Sequence, residues 1–508
     1  MSVVAELRPL LRLRWLQLCA LAALLTGVGV AAFRLKYFVL DYDIWWHLKV
    51  GDWIVEHVAV PHTGILSRTA ATRPWVAYSW GYEVMLSRAY AWFGLVGIAV
   101  FGTLLTLAVA AAIYWMLRRI SGRFWLACVG TGVVCWIFLF NGSPRPFFFS
   151  VALFALTLTL LLEANHSRQH AESKPAGDSD SSRRVQTLFW LPLIFFVWAN
   201  LHIQFIYGLL LVGLFVGLNL AQRVASRLGI APAFLLPPAL PLANLVVVFA
   251  ACVVATLIGP NFYHPYQVVY EYSKAKFTYS IIVELQPLSF RSYSDYAELL
   301  LAGAGFLAVG WQKKLDLFKL ALLSVASVVA FRTMRDAWFV CLPAAACIAD
   351  FPAPEEKRDR PERWLEAAGI AAAVALLLFV FSSGSDLSQR GLDRAISASY
   401  PVNAINFLRR NPVPGPLYNN LNWGGFLMWY MPEYPVAIDG RNDLYGDELD
   451  QLFYNSEVAA KSYTTDPYLN EAGVVVLDSE LPLAKILTVD PRFQLVYRDQ
   501  IATVFARR

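Results

Sequence analysis

Eleven long apolar runs punctuate this chain, near residues 15–33, 92–117, 124–140, 147–163, 187–200, 203–221, 242–259, 297–311, 317–334, 336–351 and 365–382. A bilayer core takes about 20 helical residues to cross, so the pattern predicts about eleven transmembrane helices, with 187–200 short for the task. The polar gaps alternate in character. One set carries basic clusters: Arg8, Arg12 and Arg14; Arg118, Arg119 and Arg123; Arg168, Lys174, Arg183 and Arg184; Arg223 and Arg227; Lys313, Lys314 and Lys319; Lys357, Arg358, Arg360 and Arg363. Basic loops stay in the cytoplasm. The N-terminus is therefore expected inside and, after an odd number of spans, the tail outside. The first run follows three arginines as a signal peptide would, but it is longer than a signal-peptide core and more spans follow, so it reads as an uncleaved first helix.

This phase divides the chain into a membrane domain, 1–382, and an extracytoplasmic tail, 383–508. The membrane domain has outer loops at 34–91 and 260–296, and a polar cytoplasmic insert, 164–186, expected to be disordered. The tail mixes periodicities: PVNAINFLRR reads as a short helix, PEYPVAIDGR as strand and turn, AGVVVLD as a buried strand, and QLVYRDQIATVFARR as two strands around a polar turn. The fold class expected is mainly α, a polytopic helix bundle with a small C-terminal α/β domain.

Composition agrees. The chain is 57% hydrophobic and 16% charged, with a mean hydropathy of +0.49, against about a quarter charged residues in soluble proteins. The net charge of +5 follows from the loop bias and offers no nucleic-acid surface. All six cysteines lie in apolar stretches and read as small buried hydrophobes.

Chemistry concentrates outside. Directly after the first span comes Leu40-Asp41-Tyr42-Asp43-Ile44-Trp45-Trp46-His47, two carboxylates at the level of the membrane surface. Carboxylates near hydrocarbon cost free energy unless they are paired or face a wet cavity. Residues Trp45 to Val60 predict a partly amphipathic helix able to lie on the membrane, with Leu48, Val55 and Val58 on its apolar face and Pro61 as its stop. An aromatic loop, Arg73-Pro74-Trp75-Val76-Ala77-Tyr78-Ser79-Trp80, leads to the second span. The plain alternative is that the acidic pair caps and solvates a helix end.

The acidic pair outside the first helix, the interfacial helix, the proline-ended loop and a second span opening with Phe93-Gly94 resemble the GT-C superfamily, the architecture of protein O-mannosyltransferases, aminoarabinose transferases and oligosaccharyltransferase catalytic subunits. Asp41–Trp80, together with Trp423-Gly424-Gly425 and Asp439-Gly440-Arg441, also looks like uncharacterised bacterial members of this group. The resemblance implies single displacement at C1 of a lipid-linked sugar. Nucleotide sugars are made in the cytoplasm, so an outward-facing transferase takes its donor from a lipid carrier, for which a polyprenyl-phosphate sugar is the natural candidate. Transfer to a hydroxyl needs a base for the acceptor's proton, and Asp41 and Asp43 are the candidates, the other organising the acceptor or a divalent cation. Asp-Tyr-Asp stands here where the O-mannosyltransferases carry Asp-Glu, so either carboxylate remains eligible.

The leaving phosphate calls for cations. Arg145, Arg332 and Arg335 stand in minimal outer turns, against the positive-inside bias, and the planar guanidinium suits phosphate. His47, His202 and His264 fall on the outer rim as orienting groups, and Glu284 is a candidate acceptor contact. With Asp41 and Asp43, His47 would be the histidine of a metal site if there is one. The expected partners are a polyprenyl-phosphate-linked donor, membrane lipid and an acceptor glycan, lipid or protein, with no nucleic acid. The expected setting is the cell's inner membrane. Two other readings stand beside the enzyme: a non-catalytic GT-C-like scaffold of an envelope assembly, and a lipid or sugar transporter.

Overall fold

A computed structural model describes residues 2–35, 38–139, 143, 145–171, 186–238, 240–351, 363–383 and 388–508. Within helices, the side chains at 2–13, 32–35, 139, 166–171, 363, 365, 378 and 380–383 are left out of the description. The insert 164–186 falls mostly on 172–185, outside the described residues; its first part continues the helix Phe147–Ala171.

The chain forms two compact units. A helical unit comprises Met1–Leu35, Gly102–Gly259 and Glu284–Ser383, and a mixed unit comprises Lys36–Phe101, Pro260–Val283 and Gly384–Arg508.

Each apolar run expected to span overlaps a described helix: Ser2–Leu35, Trp80–Ser121, Phe124–Leu139, Phe147–Ala171, Leu191–Leu201, Phe205–Arg227, Leu242–Thr256, Tyr293–Gly310, Leu317–Arg332, Ala337–Ala349 and Arg363–Ser383. Four of the described helices are long and apolar enough to cross a bilayer by themselves: Arg14–Ala31, Trp80–Ser121, Phe147–Asn165 and Phe205–Arg227. The others are shorter; Leu191–Leu201, with 11 residues, extends roughly 17 Å at 1.5 Å per residue.

Small residues bring the helices of this unit together. A methyl group on Gly29 would stand 2.8 Å from Leu377 Cδ1 where Ser2–Leu35 meets Arg363–Ser383, and one on Gly305 would stand 2.9 Å from Ala344 Cα. Five of the six cysteines are buried and Cys19 is exposed; all six are free thiols. One buried charge cluster of this unit is paired. Asp316 caps Leu317–Arg332 by accepting from the backbone of Phe318 and Lys319, takes a 2.7 Å bond from Asn165 Nδ2, and shares the buried Lys319 ammonium with Asp350.

The mixed unit holds a four-stranded sheet: β1 (Leu417–Asn419), β2 (Val474–Asp478), β3 (Phe493–Arg498) and β4 (Ala502–Arg507), in the order β1-β2-β4-β3. β1 and β2 run parallel and the other pairs antiparallel. β2 is AGVVVLD as expected, its Val474–Leu477 wholly buried. Val402–Arg410 forms the expected helix.

PEYPVAIDGR differs from its expected strand. Residues 432–441 stay irregular apart from one bridge between Ser67 and Val436. The reason lies in their hydrogen bonds. Val436 O accepts from Arg68 N, Ala437 O from Thr69 Oγ1, and Ile438 O from Asn419 Nδ2, while Ala437 N donates to Asn419 Oδ1. Loop backbone and one buried amide replace a ladder.

The helix after the acidic pair also differs. It spans Ile44–His57 and ends at Val58, which has φ +50° and is 91% exposed. Its buried face is Ile44, His47, Leu48, Gly51 and Ile54, rotated from the Leu48, Val55, Val58 stripe. Gly51 sets this rotation, because a methyl group there would lie 2.0 Å from Glu83 O in the first turn of Trp80–Ser121. That second helix kinks at Gly94, φ +60° and ψ −144°, a conformation that favours glycine.

Candidate functional site

The acidic turn is built by its own side chains. Asp41 Oδ1 accepts the backbone N–H of Asp43 at 2.9 Å, a local turn typical of aspartate. Asp43 occupies the N-cap position of Ile44–His57, yet its side chain makes no cap bond. Its Oδ1 instead accepts from Trp46 Nε1 at 3.1 Å. The capping explanation therefore fits Asp41's turn bond better than Asp43's carboxylate. Tyr42 between them is 43% exposed.

Two glycines of the tail press on this turn. A methyl group at Gly440 would stand 2.0 Å from Asp43 Oδ1. One at Gly425 would stand 2.9 Å from Trp46 N and 3.1 Å from Tyr42 O. Gly424 packs within the tail, where a methyl group would stand 2.0 Å from Ile438 O. Gly425 and Gly440, which read in the sequence as turn chemistry, thus bring backbone against the first outer loop at distances that a side chain would close.

Behind Gly440 lies a buried ionic set. Arg441, 0% exposed, grips Asp439 with two bonds, Nε to Oδ1 at 2.8 Å and Nη2 to Oδ2 at 2.7 Å. It also donates to Ile65 O at 3.1 Å and stacks on the Trp75 ring at 4.8 Å. Tyr445 OH donates to Asp439 Oδ2 at 2.6 Å. Trp75 Nε1 donates to Asp443 Oδ2 at 3.0 Å, and the Trp75 ring meets Trp46 edge to face at 6.4 Å. Two carboxylates, Asp43 and Asp443, are thus each held by the indole N–H of one packed tryptophan pair. Burial pushes the Asp443 carboxyl up to about 6, against the opposing pull of the Trp75 bond and Arg441.

Beside this pair His47 is buried. Its Nδ1 meets Glu83 Oε1 at 3.1 Å, its ring lies over Trp46, and its backbone N–H reaches Asp43 O at 3.2 Å. Glu83 is 1% exposed. His264 opens the helix His264–Tyr272 and bonds Gln267 Oε1 at 2.8 Å. Among the described residues no group of three His, Cys, Asp or Glu side chains converges as a metal site, and His47 Nδ1 is engaged by Glu83.

In the helical unit, Arg335 binds Glu284 Oε2 through Nε at 3.2 Å and Nη2 at 2.9 Å, and Arg145 Nη1 stands 3.7 Å from the same oxygen. Two of the three arginines expected to hold phosphate thus converge on the carboxylate expected to contact the acceptor. Arg332 is exposed at the end of Leu317–Arg332. His202 ends Leu191–Leu201 and pairs through Nδ1 with Ser150 Oγ at 2.8 Å, which also receives Trp198 Nε1 at 2.7 Å. Burial, with Arg335 adding to it, pushes the His202 imidazole down to about 3 and keeps it neutral. Asp336 accepts from Gln204, Tyr207 and Thr333.

Glu83, Asp443 and Trp75 were missed as site residues in the sequence. Glu83 looks like an ordinary first-turn acid of a helix, and Asp443 becomes visible only through its contact, across 368 residues, with Trp75.

No family model and no curated protein matches the chain by sequence. Solved structures share its fold. Archaeal oligosaccharyltransferase AglB from Archaeoglobus fulgidus, in complex with an inhibitory peptide and a dolichol-phosphate, aligns at TM-score 0.53 and 12% identity over 90% of this chain and 69% of that one. The A. fulgidus oligosaccharyltransferase tethered to an acceptor peptide containing the NVT sequon aligns at 0.51 and 11% over 96% and 74%. ArnT from Cupriavidus metallidurans, bound to undecaprenyl phosphate, aligns at 0.45 and 12% over 94% and 97%. These neighbours are GT-C glycosyltransferases. The chain shares the fold of the A. fulgidus oligosaccharyltransferase, and with its apolar helices it is an integral membrane protein.

Proposed function

We propose that this protein is a membrane glycosyltransferase that moves a sugar from a polyprenyl-phosphate-linked donor to an acceptor hydroxyl at the extracytoplasmic face of the inner membrane, with its N-terminus in the cytoplasm. One observation carries the reading: Asp43 is placed at a helix start without capping it, and Gly440 and an indole N–H confine its carboxylate. A helix end that merely needed solvating would not require that clamp. The binding of dolichol-phosphate and a peptide by AglB supports a lipid-phosphate carrier on this fold.

In this mechanism the acceptor O–H loses its proton to Asp41 or Asp43 as its oxygen attacks C1 of the sugar. The C1–O bond breaks and its electron pair leaves on the carrier phosphate. Asp43 is the stronger candidate, because Asp41 Oδ1 is committed to the turn. Arg145, Arg332 and Arg335 are assigned to the leaving phosphate, and His47, His202, His264 and Glu284 to orienting roles. A divalent cation, if one takes part, is assigned to Asp41, Asp43 and His47.

The test is incubation of purified protein with a panel of radiolabelled polyprenyl-phosphate sugars. Release of polyprenyl phosphate with one donor is expected; silence with every donor contradicts the reading. Orientation is tested by a membrane-impermeant thiol reagent on Tyr42→Cys in intact cells or spheroplasts, which labels from outside if the topology is right.

A further inference from the structure

Glu83 has no part in the reaction as described, and its surroundings give it one. It is a carboxylate almost wholly withdrawn from water at the first turn of Trp80–Ser121, in a fold position fixed by Gly51 of the neighbouring helix. One oxygen meets His47 Nδ1; the other, Oε2, has no hydrogen-bond partner. The charged groups that act on it are Arg441 and Asp443, and Arg441 keeps one buried nitrogen, Nη1, without a partner. A buried acid with an unmade polar atom carries a desolvation cost that packing alone does not explain.

The contacts lead from Glu83 to the proposed base. His47 lies over the Trp46 ring, and Trp46 Nε1 holds Asp43 Oδ1. We propose that Glu83 is the positioning residue of the acidic turn: through His47 and Trp46 it fixes the direction and the charge environment of the Asp43 carboxylate. The inference rests on the glycosyl-transfer reading for its kinetic part and on geometry alone for the coupling of Glu83 to His47. The titratable and charged groups facing the pair are Asp43 at the N-cap of the helix of His47, Tyr82, whose ring meets His47 edge to face at 5.2 Å, and Arg441 and Asp443 at the start of Asn442–Glu457.

The experiment uses the purified full-length protein as wild type, Glu83→Gln, Glu83→Asp and Asp43→Asn. Glu83→Gln keeps an oxygen for His47 but removes the titrating carboxyl, which burial pushes up to about 8. Donor turnover from pH 5 to 9 should show kcat lowered about 10- to 100-fold, the loss typical when a ligand's supporting partner is removed. The donor KM should stay within about twofold and the pH midpoint should move; Glu83→Asp should recover part of the loss. A purely structural Glu83 would leave the midpoint in place while the melting temperature fell.

Selective 13C labelling of the seven histidines provides a readout independent of turnover, with His47 assigned by deletion. Its ring signals, together with the 15N-labelled Trp46 indole N–H signal, should shift between wild type and Glu83→Gln at one fixed pH. An unmoved Trp46 indole signal overturns the inference. So does a Glu83→Gln enzyme with unchanged kcat and pH midpoint. A wild type that turns over no donor sinks the transfer reading instead, and the Trp46 signal then decides Glu83 by itself.

Discussion

Two charged clusters of this molecule, one in each unit, are held by different physics. In the mixed unit the Asp43 carboxylate is confined by glycine backbone and an indole N–H, and the adjacent Arg441–Asp439 pair is fully buried. In the helical unit Arg145 and Arg335 share Glu284 at side-chain exposures of 22 to 32%. The first arrangement has no slack: one methyl group or one lost charge must move something. The second is a partly wet ion cluster whose members can let go of each other, which suits groups that exchange one anion for another.

Arg441→Ala draws the sharpest contrast. It leaves the Asp439 carboxylate buried without its bidentate partner, a loss on the order of 3–5 kcal/mol, and a large fall in melting temperature and folded yield is expected. A stable Arg441→Ala protein would break the contrast.

Gly440→Ala comes next. Overpacking costs about 1–3 kcal/mol, and displacing Asp43 should lower donor turnover by about a hundredfold, whereas Gly303→Ala, whose Cβ would meet nothing within 4 Å, should be silent in both assays. Arg335→Ala should cost less than about 1 kcal/mol of stability, as partly exposed pairs do, yet raise the donor KM roughly tenfold, one charged hydrogen bond's worth. An unchanged KM would make Arg335 a headgroup contact.

The smallest effect separates the two units by pH. Burial pushes Asp443 to about 6 and Asp450 and Glu457 to about 7. Their folded forms hold protons that the unfolded chain, with carboxyls near 4, releases. Stability of Asn442–Glu457 should therefore increase as pH falls from 8 to 5. His202, held down at about 3, works the other way: the unfolded chain gains a proton below about 6.5, so its surroundings weaken over the lower part of the same range. Hydrogen exchange resolved by segment, corrected for intrinsic rates, should show protection rising in one region and falling in the other.

Much of this was legible in the sequence, for identifiable reasons. Long apolar runs announce helices whatever their neighbours, so each expected span overlaps one. β2 and the β3–β4 pair follow from local patterning. Patterning did not reveal contacts made at long range. Residues 432–441 have the composition of a strand, but Asn419 and the first outer loop take their hydrogen bonds. The apolar face of Ile44–His57 was misjudged because Gly51, which carries no hydrophobic signal, decides which side approaches Glu83. Gly425 and Gly440 read as turn formers, since their partners, Trp46, Tyr42 and Asp43, lie in the first outer loop, far off in sequence. Asp41 and Asp43 stood out because two acids beside a membrane span are costly, and that signal needs no partner.

The most direct test compares single-turnover transfer by wild type, Asp41→Asn and Asp43→Asn, with donor affinity measured separately by binding. The account predicts that Asp43→Asn still binds the lipid-linked sugar but cleaves it at least a hundredfold more slowly, with Asp41→Asn less impaired. An Asp43→Asn protein that transfers sugar at the wild-type rate would contradict it.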